Sequence, residues 1–260
     1  MENGFFKEAL AQERIGCYNI VEYVSEWREC MGGIGAWLAQ LRWDSLLELG
    51  ITAAAAVLCI TVHETCHGLA ALGLGDPTAK QMGRLSLNPM KHLDPFGLLM
   101  LLVAKVGWAK PVPVDPRFFK KPRLGMAVVA VAGPASNVLF SALAAAGYTA
   151  AMFYSVLLES VWLEWLASFF YCVFFISAGL AVFNLLPVPP LDGSKVLFAL
   201  LPEPLYWKLM RYERYGMLLM MALLLTGALD IPLHFLRDGL IGLLAPISGW
   251  TLDLLTAIHR

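Results

Sequence analysis

The chain has 260 residues, of which 58% are hydrophobic and only 15% charged, with a mean hydropathy of +0.65 and a net charge of −1. That composition excludes an ordinary soluble globular domain. The near-zero charge removes the electrostatic case for nucleic-acid binding.

Residues 1–45 form a net acidic tail carrying Glu2, Glu8, Glu13, Glu22, Glu26 and Glu29. With no basic start and no apolar core, the tail does not read as a signal peptide. Ile20, Val21, Val24, Trp27, Ile34, Trp37 and Leu38 recur at roughly helical spacing, which predicts one or two interfacial helices. Cys17 and Cys30 can pair only if this tail faces an oxidising compartment. Residues 46–260 read as one membrane-embedded domain.

The first span is residues 49–75, whose only formally charged residue is Glu64. It contains His63-Glu64-Thr65-Cys66-His67. Ionisable groups at membrane depth are costly and mark a functional site by default. Positions four apart share a helix face, so His63 and His67 can grip one metal ion, with Glu64 beside them as a general base. Cys66 lies about 100° round the helix from His67 and reads as packing.

The connection at residues 76–123 carries nine Lys/Arg and three Asp. Residues 96–104 are apolar but too short to span. Residues 78–87 and 108–118 are rich in Gly and Pro, which predicts a small sheet or extended ribbons at the membrane surface. His92 reads as a structural loop residue.

Residues 124–158 hold no charge for 35 positions, predicting a long, tilted or broken span. Within it lies Gly133-Pro134-Ala135-Ser136-Asn137. Asn137 either joins two helices through its amide or holds a substrate carbonyl or developing oxyanion, and spacing does not separate the two.

The third span, residues 166–191, runs into Pro187, Pro189 and Pro190, which must break it. Asp192 follows, before Gly193. It is either a third metal ligand reaching a cavity or the cap of the next helix. Residues 215–229 are a shorter candidate span, its Met217, Met220 and Met221 reading as packing, and 239–252 a weaker one. His234 and His259 read as interfacial. The basic connections flank the first and third spans, so the positive-inside rule places them in the cytoplasm.

The fold class is therefore an all-α polytopic membrane protein of about four to six transmembrane helices, with a small extended or β surface element between the first two long spans. HETCH, GPASN and NLLPVPPLDG, in that order and each in an apolar segment, resemble the site-2 protease family of intramembrane zinc metalloproteases. The resemblance covers roughly residues 54–201. Gly83 to Pro89 (GRLSLNP) and His92-Leu93-Asp94-Pro95 resemble the compact prokaryotic members, which lack a PDZ domain. It implies one Zn2+ per chain held by His63, His67 and Asp192, Glu64 as catalytic base, Asn137 as a substrate- or water-orienting group, and Asn184 as a further substrate-binding position. It also implies a prokaryotic inner-membrane protein, and the place of the metal motif near the basic end of the first span predicts an active site that opens to the cytoplasm. Its partners would be the bilayer and a membrane-protein substrate, typically single-span; oligomeric state is left open. A catalytically silent relative and a metal transporter are the alternatives. Glu64 argues against the first, and the lack of repeated halves against the second.

Overall fold

The structure, a computed structural model, describes residues 43–92, 94 and 110–259. The expected helices of the tail, Cys17 and Cys30, and the apolar stretch 96–104 lie outside those residues. The chain divides into two compact units, Met1–Ile51 and Thr52–Arg260. The site lies wholly in the second.

In chain order the helices are α1 (Trp43–Gly73), α2 (Thr78–Gln81), α3 (Pro122–Leu158), α4 (Val161–Leu185), α5 (Asp192–Ala199), α6 (Glu203–Tyr212), α7 (Gly216–Leu225) and α8 (Asp230–Ile258). Four of them, α1, α3, α4 and α8, are long and apolar enough to cross a membrane. The 25 residues of α4 rise about 38 Å, enough for a hydrocarbon core of about 30 Å.

Local chemistry accounts for the ends. Pro122 opens α3 at the first turn, where its missing N–H costs nothing, and Glu159 closes it in the left-handed region at φ 47°. Within its 37 residues α3 stays continuous through Pro134, so the long second span is not broken. Its 55 Å or so exceeds the hydrocarbon thickness and calls for tilt or projection. In α4 the helix stops at Leu185, ahead of Pro187, as the proline run requires.

Two expectations need correction. The apolar run at 215–229 yields only the 10-residue α7, about 15 Å long and too short to span, followed by a turn at Gly227 (φ 67°). The crossing element is instead α8, which starts nine residues earlier than the weak candidate at 239–252 and keeps Pro246 inside it. The second correction concerns the surface ribbons. Residues 78–81 are a helical turn, and among the described residues there is no strand. Residues 110–115 have no regular structure and form a strap.

The core is built for close approach. Ala55, Cys59, Ala144 and Val173 from α1, α3 and α4 are buried together, with Phe140 and Phe170 packed around them. Small residues let helix backbones meet in an apolar medium, where packing drives association. Buried hydroxyls find carbonyls across the same seam: Ser141 Oγ donates to Phe174 O and Ser177 Oγ to Asn137 O, both at 2.9 Å. Leaving them unpaired there would cost far more than in water. On the outer face of α3, Leu139 and Leu143 are about 60% exposed, as a lipid-facing surface requires.

The strap is tied down at several points. Arg84 Nη2 donates to the carbonyls of Lys110 (2.7 Å) and Pro111 (3.1 Å), and Lys110 N donates to His92 O. Asp76, fully buried, accepts from Thr78 N, Thr78 Oγ1 and Asp115 N. Three donors satisfy a carboxylate that burial alone would penalise. Beside it, Arg117 bonds to the Asp115 side chain and holds that carboxyl below the usual carboxylate range.

Candidate metal centre

His63 and His67 lie one turn apart on α1, and both rings face α3. At the facing point stands Gly133. A Cβ there would sit 2.4 Å from His67 Nε2 and 2.6 Å from His63 Cε1, so only glycine leaves room for the two imidazoles. His67 Nδ1 lies 2.7 Å from the Val129 carbonyl, and His63 Nδ1 lies 3.1 Å from the Asn137 amide. Val129, Gly133 and Asn137 are spaced by four and share one face of α3.

The proline break turns the chain back toward α1. Asp192 is the first residue of α5, and Leu191 occupies the capping position with no side-chain bond. The carboxylate is thus not used as a cap. Its Oδ2 lies 3.2 Å from His63 Nε2 and 3.1 Å from His67 Nε2, and the two Nε2 atoms are 3.0 Å apart. The other oxygen, Oδ1, faces Lys195 Nζ at 3.6 Å, one turn along α5. Beyond Asp192, Gly193 allows a close approach: a Cβ there would meet the Leu185 carbonyl oxygen at 2.2 Å. At the far end of α5, Arg123 Nη2 binds the carbonyls of Ala199 and Leu201, and its guanidinium lies over the Tyr206 ring. That cation sits at a helix C-terminus, where the backbone dipole favours it.

The three donors fit a zinc ion. Zn–N and Zn–O bonds of about 2.0–2.2 Å in tetrahedral geometry place ligand atoms roughly 3.3–3.6 Å from one another. The observed separations of 3.0–3.2 Å are close to that. All three residues are buried, in a mixed imidazole and carboxylate set of the kind catalytic zinc uses with its fourth position left to water.

Glu64 is half-buried, and its Oε2 accepts the Val112 amide of the strap at 3.0 Å. Asn137 is fully buried against His63. The structure thus brings His63, His67, Asp192 and Asn137 together in bonding contact. Asn184 turns its amide to the Leu180 carbonyl of its own helix. Cys66 is not among the clustered donors. His92 is buried and its Nε2 meets the Ser86 carbonyl, which Thr65 Oγ1 also reaches, so it braces the loop against α1.

Three contributors escaped sequence reasoning: the Val129 carbonyl, the Val112 amide and Lys195; Gly133 belongs to the GPASN motif, and the structure adds its role as clearance for two rings. Only Lys195 carried a signal, its i, i+3 spacing from Asp192. Backbone partners leave no trace in residue type.

The sequence profile of peptidase family M50 matches residues 51–227. A Bacillus subtilis (strain 168) protein provisionally named zinc metalloprotease YwhC is 43% identical over 177 residues, which cover 65% of this chain and 78% of that one. A provisionally named zinc metalloprotease Rip2 from Mycolicibacterium smegmatis is 29% identical over 208 residues, 76% of this chain and 77% of that one. The Rip2 of Mycobacterium tuberculosis H37Rv is 28% identical over 242 residues, covering 88% and 85%. No solved structure matches the chain.

Proposed function

This chain belongs to peptidase family M50, and from that premise we propose that it is an intramembrane zinc endopeptidase, cutting other membrane proteins within or near their spanning segments. It is an integral membrane protein of the zinc metalloprotease class. The observation that carries the finer reading is the buried His63, His67 and Asp192 set with Glu64 beside it, enclosed by apolar helices.

A zinc ion held by His63, His67 and Asp192 would supply Lewis acidity toward a water and the scissile carbonyl. Glu64 takes the water's proton as the water oxygen bonds to the scissile carbonyl carbon, and delivers that proton to the leaving amine nitrogen as the C–N bond breaks. The Val112 amide anchors Oε2 of Glu64, and Oε1 is the proton carrier. A helical substrate shields its peptide bonds, so the substrate unwinds locally before cleavage. The helical turn at residues 78–81 removes those residues as an extended edge for the substrate. Glu64 favours a working enzyme over a silent relative, since holding zinc does not need it.

The basic connections at 76–123 and after α4 support an orientation with the active site open to the cytoplasm of a prokaryotic cell. Substrates are membrane proteins, typically single-span, whose cytoplasmic portion is released.

The test compares the parent with Glu64→Gln for zinc content and for cleavage of single-span candidate substrates. Zinc is retained and cleavage falls at least about 100-fold if Glu64 is the base. Equal turnover by the variant overturns the mechanism.

A further inference from the structure

We infer that Asn137 is a positioning residue that accepts a hydrogen bond from His63 Nδ1–H and thereby frees His63 Nε2 for the metal; the inference rests on the reading of His63 as a zinc ligand.

His67 provides the comparison. Its Nδ1 lies 2.7 Å from the Val129 carbonyl, which can only accept. Nδ1 therefore carries the hydrogen, and Nε2 turns a lone pair toward Asp192 and His63. Ligating imidazoles are typically set this way, with the far nitrogen donating to a carbonyl or carboxylate.

His63 needs the same arrangement. Its Nε2 faces Asp192 and His67, so its hydrogen must sit on Nδ1. The group 3.1 Å from Nδ1 is the Asn137 amide, which can present either Nδ2 or Oδ1. With Nδ2 there, Nδ1 becomes the acceptor and the hydrogen moves to Nε2, where it blocks ligation. Oδ1 is then a buried acceptor with no partner among the described residues. Turning the amide over resolves both conflicts, because Oδ1 accepts from Nδ1–H.

The amide is held where this requires. Asn137 is fully buried, and its backbone carbonyl receives Ser177 Oγ from α4 at 2.9 Å. Two α3 positions, eight residues apart, thus set the hydrogen-bonding state of both imidazoles. One uses its backbone and the other its side chain, with Gly133 between them as clearance. This differs from an oxyanion role, in which the amide acts on substrate and leaves metal affinity alone.

The experiment measures zinc affinity of the purified full-length chain by chelator competition, with Asn137→Leu and Asn137→Asp beside the parent. Leucine keeps the volume and lacks an acceptor; aspartate keeps the acceptor. Asn137→Leu is expected to bind zinc 10- to 100-fold more weakly, and Asn137→Asp to stay within about threefold of the parent. Parent-like affinity in the leucine protein, or equal weakening in both, overturns the inference. A second readout needs no variant: nitrogen-15 shifts of the His63 ring in the zinc-loaded parent. Protonation at Nδ1 supports the inference, and protonation at Nε2 defeats it. A parent with no zinc affinity overturns this and the site reading together, whereas tight parent binding with an unaffected leucine protein removes only the role of Asn137.

Discussion

The Val112 amide lies 3.0 Å from Oε2 of Glu64, 48 residues away in the chain. Val112 stands between Pro111 and Pro113, neither of which has an N–H, so it is the only backbone donor in that tripeptide. Its side chain packs at Gly68, where a Cβ would meet Val112 Cγ1 at 3.3 Å. Side chain and amide can be separated by substitution. Val112→Ala keeps the N–H and is expected to retain most turnover, while Val112→Pro removes it and should lower kcat about tenfold or more, a scale set by bonds to charged groups. Zinc content should be unchanged in both. Equal kcat in the two variants would remove the amide from catalysis.

Gly133→Ala tests the clearance between α3 and the imidazoles. Alanine is the better helix former by about 1 kcal/mol, so helicity should hold or rise. Yet its Cβ falls 2.4 Å from His67 Nε2 and displaces both rings. Zinc content by elemental analysis should drop below about a tenth of the parent's while circular dichroism stays helical. Full zinc occupancy in the variant would show that the rings have another place to go.

Removing a ligand should cost the metal outright. His67→Ala and Asp192→Ala are expected to lose most zinc, and Cys66→Ala to keep it, since Cys66 stands outside the donor cluster. Normal zinc in the Asp192→Ala protein would take that carboxylate out of the site.

Sidedness can be read by labelling single cysteines in intact cells. The Arg117 side chain is 88% exposed, so Arg117→Cys should label without disturbing the core. It is expected to react only when reagent reaches the cytoplasm, and Glu8→Cys only from outside. The opposite pattern would invert the orientation and the release of cytoplasmic fragments.

The parts legible in the sequence were those where residue type and spacing carry the physics. His63 and His67 are readable because a helix face has a fixed period and an apolar span makes two imidazoles conspicuous. The end of α4 is readable because Pro187 cannot continue a helix. Asp192 stood between ligand and cap, and the structure removes the cap by placing Leu191 at that position. Hydropathy misled at residues 215–229, since an apolar run does not reveal the Gly227 turn that ends α7 after 10 residues. It understated α8, whose first turns carry Asp230, His234, Arg237 and Asp238 and so look like a loop. The Val129 carbonyl and the Val112 amide were not readable at all, because every residue has those groups and only tertiary packing aims them.

His63 and Asp192 are separated by 129 positions, with α3 and α4 between them. A ribosome adding about 5–20 residues per second needs on the order of 6–26 s to make the third donor after the first. Through that interval the nascent chain has two imidazoles in the bilayer and no complete donor set. A donor set divided along the chain in this way cannot close around a metal through all three ligands until α5 has been made.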